Sequence, residues 1–185
     1  YVLGERFKQI ARLDFQDVDV KFISQPLDWV GINYYTRSII KVDKSETFLG
    51  YKSVKGDLIV TDMGWEIFPE GLNNLIERLH NKYSKNVPIF ITENGMANID
   101  FLKNGKINDF ERIKFYSDHL KQCKKLIEKD IPLKGYFAWS LLDNFEWAYG
   151  YSKRFGIVYV DFDNLERIPK LSWKEFKKNL TNMEN

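Results

Sequence analysis

Three short runs of apolar residues, none alternating with polar positions, limit most strongly what this chain can fold into. They fall at residues 28–35, 87–92 and 135–140. A strand with one wet face alternates. A strand that stays apolar throughout needs cover on both faces, as parallel strands in α/β folds have. Each run is followed by a stretch with helical spacing. After the first, Pro69 takes a first-turn position, where its missing N–H costs nothing, and Leu72, Leu75, Ile76, Leu79 and Tyr83 make an apolar face. After the second, Asn108 and Glu111 have capping spacing for a helix reaching about Lys129. After the third come an aromatic loop, the run Gly156-Ile157-Val158-Tyr159-Val160 and a turn at 161–164. Ser172 and Glu175 then cap a last helix that carries Trp173, Phe176 and Leu180.

Gln25-Pro26 ends any helix before the first strand. Within the polar stretch 37–62, Ile39-Ile40-Lys41-Val42 and Leu58-Ile59-Val60 are expected to pair as a hairpin. The alternation of strand and helix predicts an α/β fold, either a barrel or a doubly wound sheet. Neither Gly-x-Gly-x-x-Gly nor a P-loop lysine motif occurs, so the nucleotide-binding version has no support.

The 185 residues suit one domain with a real core. A net charge of +2, from 28 basic and 26 acidic residues, with lysines scattered as at Lys124-Lys125 and Lys177-Lys178, describes solvated helix faces and not a nucleic-acid patch. No apolar run approaches the roughly 20 residues of a membrane span. No export signal is legible, which places the chain in the cytoplasm as an expectation. Tyr1 stands where a Met would open a reading frame, which points to a longer frame or to processing of the chain. The single cysteine, Cys123, falls in the helical series Ile113, Tyr116, Leu120, Cys123, Ile127 and reads as core. His80 and His119 lie beside helical stripes, offer no metal site with each other, and imply no cofactor.

Chemistry gathers at the three strand exits. The first reads Gly31-Ile32-Asn33-Tyr34-Tyr35-Thr36 and the second Ile91-Thr92-Glu93-Asn94-Gly95. The third is Trp139-Ser140-Leu141-Leu142-Asp143-Asn144-Phe145-Glu146-Trp147. Parallel strands bring these exits to one end of the sheet, the end that hosts active sites in β/α barrels. Glu-Asn-Gly alone is a turn sequence. Behind a buried strand, the glutamate instead stands at the boundary of a low-dielectric floor and a cleft, where glycoside cleavage needs a carboxylate. Aromatic residues make up 16% of the chain, with 5 Trp and 10 Tyr. They serve sugar stacking and core packing alike.

Together with Asp62-Met63-Gly64-Trp65-Glu66-Ile67 and the stretch 139–155, these segments resemble the C-terminal part of family 1 glycoside hydrolases, the β-glucosidase family. The resemblance runs from about Pro26 to about Ser172. It implies about three strand–helix units of a (β/α)8 TIM barrel, with residues 1–185 as one partial catalytic domain. It makes Glu93 the catalytic nucleophile and Tyr35 the tyrosine that hydrogen-bonds and orients it. Asn33 lines the same pocket, and Trp139 is the platform under the sugar. Glu146 and Trp147 grip the sugar's outer hydroxyls, Phe155 stands near that subsite, and Trp65 lies on the aglycone side. Core packing is the alternative for each aromatic, most of all for Phe155; Asp143 and Asn144 read as structural. Relatives acting on 6-phosphosugars carry a small polar residue in place of Glu146, so unphosphorylated β-glycosides, small or oligosaccharide, are the expected substrates.

The family's mechanism is retaining hydrolysis with a second carboxyl group as acid/base, borne by an Asn-Glu-Pro motif on an earlier strand. This chain has no Asn-Glu-Pro. The expected partner is therefore the N-terminal portion of the barrel, and the isolated chain is expected to be inactive. The alternatives are a non-catalytic remnant, a sugar-binding or interaction module, and a transglycosidase using the same residues.

Overall fold

The structure, a computed structural model, describes residues 17–43, 45 and 50–181; Tyr1 lies outside them. The described residues form two compact units, one of residues 17–28 and 38–55, the other of 29–37 and 56–181.

In the smaller unit, helix α1 (Asp17–Ile23) ends before Gln25-Pro26, as expected. Strand β2 (Ile39–Val42) pairs antiparallel with β3 (Tyr51–Val54), Ile39 opposite Val54 and Val42 opposite Tyr51. This corrects the expected hairpin with Leu58-Ile59-Val60. The nearer segment in sequence closes the smaller loop, and the Lys52 ammonium lies 2.7 Å from Asp43 Oδ2. Residues 59–60 are used elsewhere: Val60 bridges Glu66, and Ile67 N–H donates to Ile59 O at 2.9 Å.

In the larger unit, β1 (Val30–Asn33), β4 (Ile89–Asn94) and β5 (Leu133–Ala138) form a parallel sheet in the order β1-β4-β5. Parallel neighbours need crossovers. Helices α2 (Pro69–Lys82) and α3 (Phe110–Ile127) lie in these crossovers. Ile89 and Ile91 are fully buried and pack with Ile32, Tyr34, Leu72, Ile76, Cys123, Leu126 and Ile131. Burial pushes the Cys123 thiol up to about 12, which fits a packing role. The opposite sheet face carries Phe90, Thr92 and Phe137. Phe137 is 58% exposed, so among the described residues the expected cover is present on the helix side only.

Helix α2 starts at Pro69 as expected and buries Leu72 and Ile76, whereas Leu75 sits on its exposed shoulder and Tyr83 lies past its end. Two expected caps are replaced. Asp109, not Asn108, precedes α3, and its carboxylate accepts from Ser172 N and Ser172 Oγ. Helix α4 (Leu171–Thr181) starts one residue before Ser172, so that hydroxyl joins two helices instead of capping one. Antiparallel β6 (Val158–Val160) and β7 (Arg167–Pro169) flank the turn after Asp161. Met96, Phe115, Tyr116, Ile157 and Val158 form a second cluster, against which Trp173 and Phe176 pack; Leu180 is exposed. Among the described residues no helix is long and apolar enough to cross a membrane.

Candidate active site

The register of β1 against β4 builds the site. Asn33 stands opposite Glu93, and Tyr34 N–H donates to Glu93 O at 2.9 Å. The next residue, Tyr35, thereby reaches over the Glu93 side chain, and its hydroxyl donates to Oε2 at 2.7 Å. Among the described residues Oε1 has no hydrogen-bond partner, and Glu93 lines the cleft. Burial, followed by the hydrogen bond to Glu93 and that carboxylate's charge, pushes the Tyr35 hydroxyl far above its ordinary range. Tyr35 therefore keeps its proton and acts as a donor that orients the Glu93 carboxylate.

Asn33 Oδ1 accepts from Thr92 Oγ1 at 2.7 Å, which leaves its NH2 as the group able to donate, and Asn33 lines the cleft. Asn94 joins all three strand ends. Its Nδ2 donates to Tyr34 O at 2.7 Å, its Oδ1 accepts from Tyr136 Oη at 2.5 Å, and its carbonyl accepts from Trp139 N–H at 2.9 Å. Gly95 is obligatory beside it, because a Cβ there would stand 1.7 Å from Trp139 O.

The loop after β5 supplies the rest. Trp139 and Ser140 are joined by a cis peptide. Glu146 is buried, and its N–H donates to Gly150 O at 2.7 Å, which closes a short turn that leaves Trp147 84% exposed. Burial, then the charge of Glu93, raises the Glu146 carboxyl above its ordinary value. Asp143 fastens the loop's base: Oδ1 accepts from Gly156 N at 2.9 Å and from Lys170 Nζ at 2.8 Å, and Oδ2 from Arg154 at 2.7 Å.

These parts enclose a cleft of about 640 Å³ lined by Asn33, Tyr35, Trp65, Glu93, Trp139, Glu146, Trp147 and Phe155, all eight residues singled out from the sequence. Met63, Asn144, Phe145, Ala148 and Tyr149 complete its wall and were not anticipated. Phe155 is 2% exposed and leans edge-on to Tyr35 at 6.1 Å, so it is a wall behind the tyrosine as much as a lining residue. Trp65 stands 5.5 Å from the Tyr35 ring. Hollows of about 720 and 780 Å³ lie elsewhere on this unit. Neither contains a strand exit, and Asp118, Asp62, Asp100 and Asp109 within them are neutralised by lysine or arginine. Among the described residues no cluster of His, Cys, Asp and Glu could hold a metal ion.

A half-buried, oriented carboxylate with one free oxygen, set beneath an aromatic-walled cleft, can attack an electrophilic carbon. Comparisons with known proteins point the same way. The family model for glycosyl hydrolase family 1 matches residues 3–185. Beta-glucosidase A of Acetivibrio thermocellus is 46% identical over 178 residues, 95% of this chain and 40% of that protein. A 6-phospho-beta-galactosidase of Clostridium acetobutylicum is 35% identical over 192 residues, 92% of this chain and 40% of that protein. The solved beta-glucosidase of Thermotoga maritima in complex with galacto-hydroximolactam superposes with a TM-score of 0.86. It is 40% identical, and the match covers 95% of this chain and 40% of that one. The chain thus spans about 40% of the length of these relatives.

Proposed function

We propose, because this chain belongs to glycosyl hydrolase family 1, that it supplies the nucleophile-bearing side of a retaining β-glycosidase. Its parallel sheet and helices are a C-terminal portion, about three strand–helix units, of a (β/α)8 barrel. The observation that carries the reading is the 2.7 Å bond from Tyr35 Oη to Glu93 Oε2, at a strand end facing the cleft.

The chemistry follows from that geometry. Glu93 Oε1 attacks the anomeric carbon and forms an ester, while the glycosidic C–O bond breaks and the leaving oxygen takes a proton from the acid/base carboxyl. Water, deprotonated by the same group, then attacks the anomeric carbon and releases Glu93. The acid/base belongs to the part of the barrel beyond this chain's three strands, since no Asn-Glu-Pro occurs here. Trp139 carries the sugar's C–H face, and Asn33, Glu146 and Trp147 offer hydrogen bonds to its hydroxyls. Family membership alone does not choose between plain and phosphorylated sugars, as the Clostridium relative illustrates. Glu146 chooses. A phosphate at about 4 Å from its carboxylate would be repelled by roughly 4 kcal/mol at an effective dielectric near 20.

An activated 2-deoxy-2-fluoroglucoside tests the assignment in the complete barrel, because its glycosyl-enzyme hydrolyses slowly. Mass spectrometry is expected to place the label on Glu93; a label on another carboxylate would overturn the role. Faster turnover of a 6-phosphoglucoside than of the plain glucoside would overturn the substrate class. The 185-residue chain alone, in which β1 and β5 are the open edges of the sheet among the described residues, is expected to hydrolyse no ordinary β-glucoside, and turnover at normal enzyme rates would refute that expectation.

A further inference from the structure

The last sheet bond of the β1 strand is Tyr34 N–H to Glu93 O, and Tyr35 itself lies outside any strand. Something else must fix its ring to within the few tenths of an ångström that a 2.7 Å hydrogen bond requires. The two residues after it answer this. Thr36 Oγ1 donates to the carbonyl oxygen of Glu66 at 2.8 Å, and Arg37 Nε donates to Glu66 Oε2 at 2.7 Å. The other carboxylate oxygen, Oε1, accepts from Leu58 N–H at 2.9 Å. Glu66 directly follows Trp65, whose ring meets Tyr35 at 5.5 Å and whose carbonyl accepts from Thr61 N–H at 2.8 Å. The Arg37 guanidinium also lies over the Phe68 ring at 4.5 Å. The Glu66 carboxylate, in a residue 8% exposed and outside the cleft lining, therefore ties Arg37 and Leu58 to the Trp65–Glu66 segment, and the Glu66 carbonyl adds Thr36.

We propose that Glu66 is a positioning residue for the nucleophile, holding Tyr35 and Trp65 side by side so that the tyrosine hydroxyl stays on Glu93. Its link to catalysis rests on the nucleophile role proposed for Glu93; its link to geometry does not. The Arg37–Glu66 pair is ionised from both sides: the Arg37 bond, then the Leu58 N–H, lowers the Glu66 carboxyl, and Glu66 raises Arg37.

Glu66→Gln keeps the shape but turns an NH2 toward one of two donors, Arg37 Nε or Leu58 N–H, and so loses one of the two bonds. Arg37→Gln cuts the same tie from the other side and leaves the Leu58 bond in place, which covers the case where the first variant does not fold. In the 185-residue chain, carrying 13C-labelled tyrosine and tryptophan, both variants are expected to move the Tyr35 and Trp65 ring resonances together. The methyl resonances of Ile89 and Leu126 are expected to stay in place. In the complete barrel, Glu66→Gln is expected to slow labelling of Glu93 by the activated 2-deoxy-2-fluoroglucoside about tenfold, the scale of one charge-assisted hydrogen bond. Combined with Tyr35→Phe, it is expected to add nothing further. Unmoved Tyr35 resonances in both variants would overturn the proposal, as would a full additional tenfold loss in the Tyr35→Phe background. A wild-type barrel that takes no label on Glu93 would defeat the nucleophile assignment, while the resonances still decide the positioning role.

Discussion

Lys170→Met is the most demanding test of how the cleft is supported. Lys170 is fully buried, with its ammonium 2.5 Å from Asp100 Oδ2 and 2.8 Å from Asp143 Oδ1. Around it stand Arg112, bound to Asp100 and Asp109, and Arg154, bound to Asp143. Three cations (Arg112, Arg154, Lys170) face three carboxylates (Asp100, Asp109, Asp143), so the cluster is neutral as it stands. Burial, then the nearby charge of Arg112, pulls the Lys170 ammonium down, and Asp143 and Asp100 oppose that pull. Methionine would therefore cost little for its own sake. The cost comes from the carboxylates it strands, which share one uncompensated buried charge. Removing one partner of a buried pair typically costs about 3–5 kcal/mol. With a urea dependence of about 2 kcal/mol/M, the denaturation midpoint should fall by about 2 M. Lys170→Met combined with Asp143→Asn restores neutrality and should cost less than the sum of the single changes by about 1–3 kcal/mol. The assay is urea denaturation followed by far-ultraviolet circular dichroism. A Lys170→Met midpoint within about 0.5 M of wild type, or strict additivity in the double variant, would refute the reasoning.

Two further outcomes follow from buried groups near the site. Burial lowers His119 from 6.5 to about 4, against the smaller opposing effects of its Phe115 carbonyl contact and of Asp118 and Glu70. The unfolded chain therefore holds a proton that the folded one refuses. This group's contribution is complete above pH 6.5 and is lost as pH falls toward 4, by about 3 kcal/mol in total. Between pH 7.5 and 5 the wild type should lose about 2 kcal/mol more than His119→Leu, and equal slopes in urea titrations would count against it. Gly95→Ala places a methyl 1.7 Å from Trp139 O, so the Asn94–Trp139 hydrogen bond must break or the backbone must shift. A lowering of Tm by several degrees is expected, from about 1–3 kcal/mol of overpacking, and an unchanged melt would contradict the close approach.

Sequence reading reached the parts of this molecule whose signals are local. Glu93, Tyr35 and Trp139 lie at strand exits, and an exit is marked by the apolar run before it, so parallel pairing brings them to one end of the sheet; Glu146, further along the third exit, depends also on the loop that Asp143 anchors. Where the deciding partner is distant in sequence, local pattern pointed elsewhere. Asn94 is a turn residue by type, yet it extends β4 because Tyr34, Tyr136 and Trp139 satisfy it from two other strands. Asn108 and Ser172 have good cap spacing, yet Asp109 and Ser172 bond each other across 63 positions. Glu66 is marked by no local pattern; its carboxylate is held by Arg37, 29 positions earlier. The expected hairpin differs because Leu58-Ile59-Val60 is the more apolar partner for β2, whereas the true partner, Tyr51-Lys52-Ser53-Val54, is half polar and its Asp43–Lys52 pair carries no periodic signature. Apart from that hairpin, what escaped the sequence is the side-chain hydrogen bond between remote segments. Such bonds are made at the floor and back of the cleft because a polar reaction site cannot be walled with hydrocarbon alone. The carboxylate that reacts needs donors to orient it, those donors need partners of their own, and each partner moves the requirement further from the motif that announced the site.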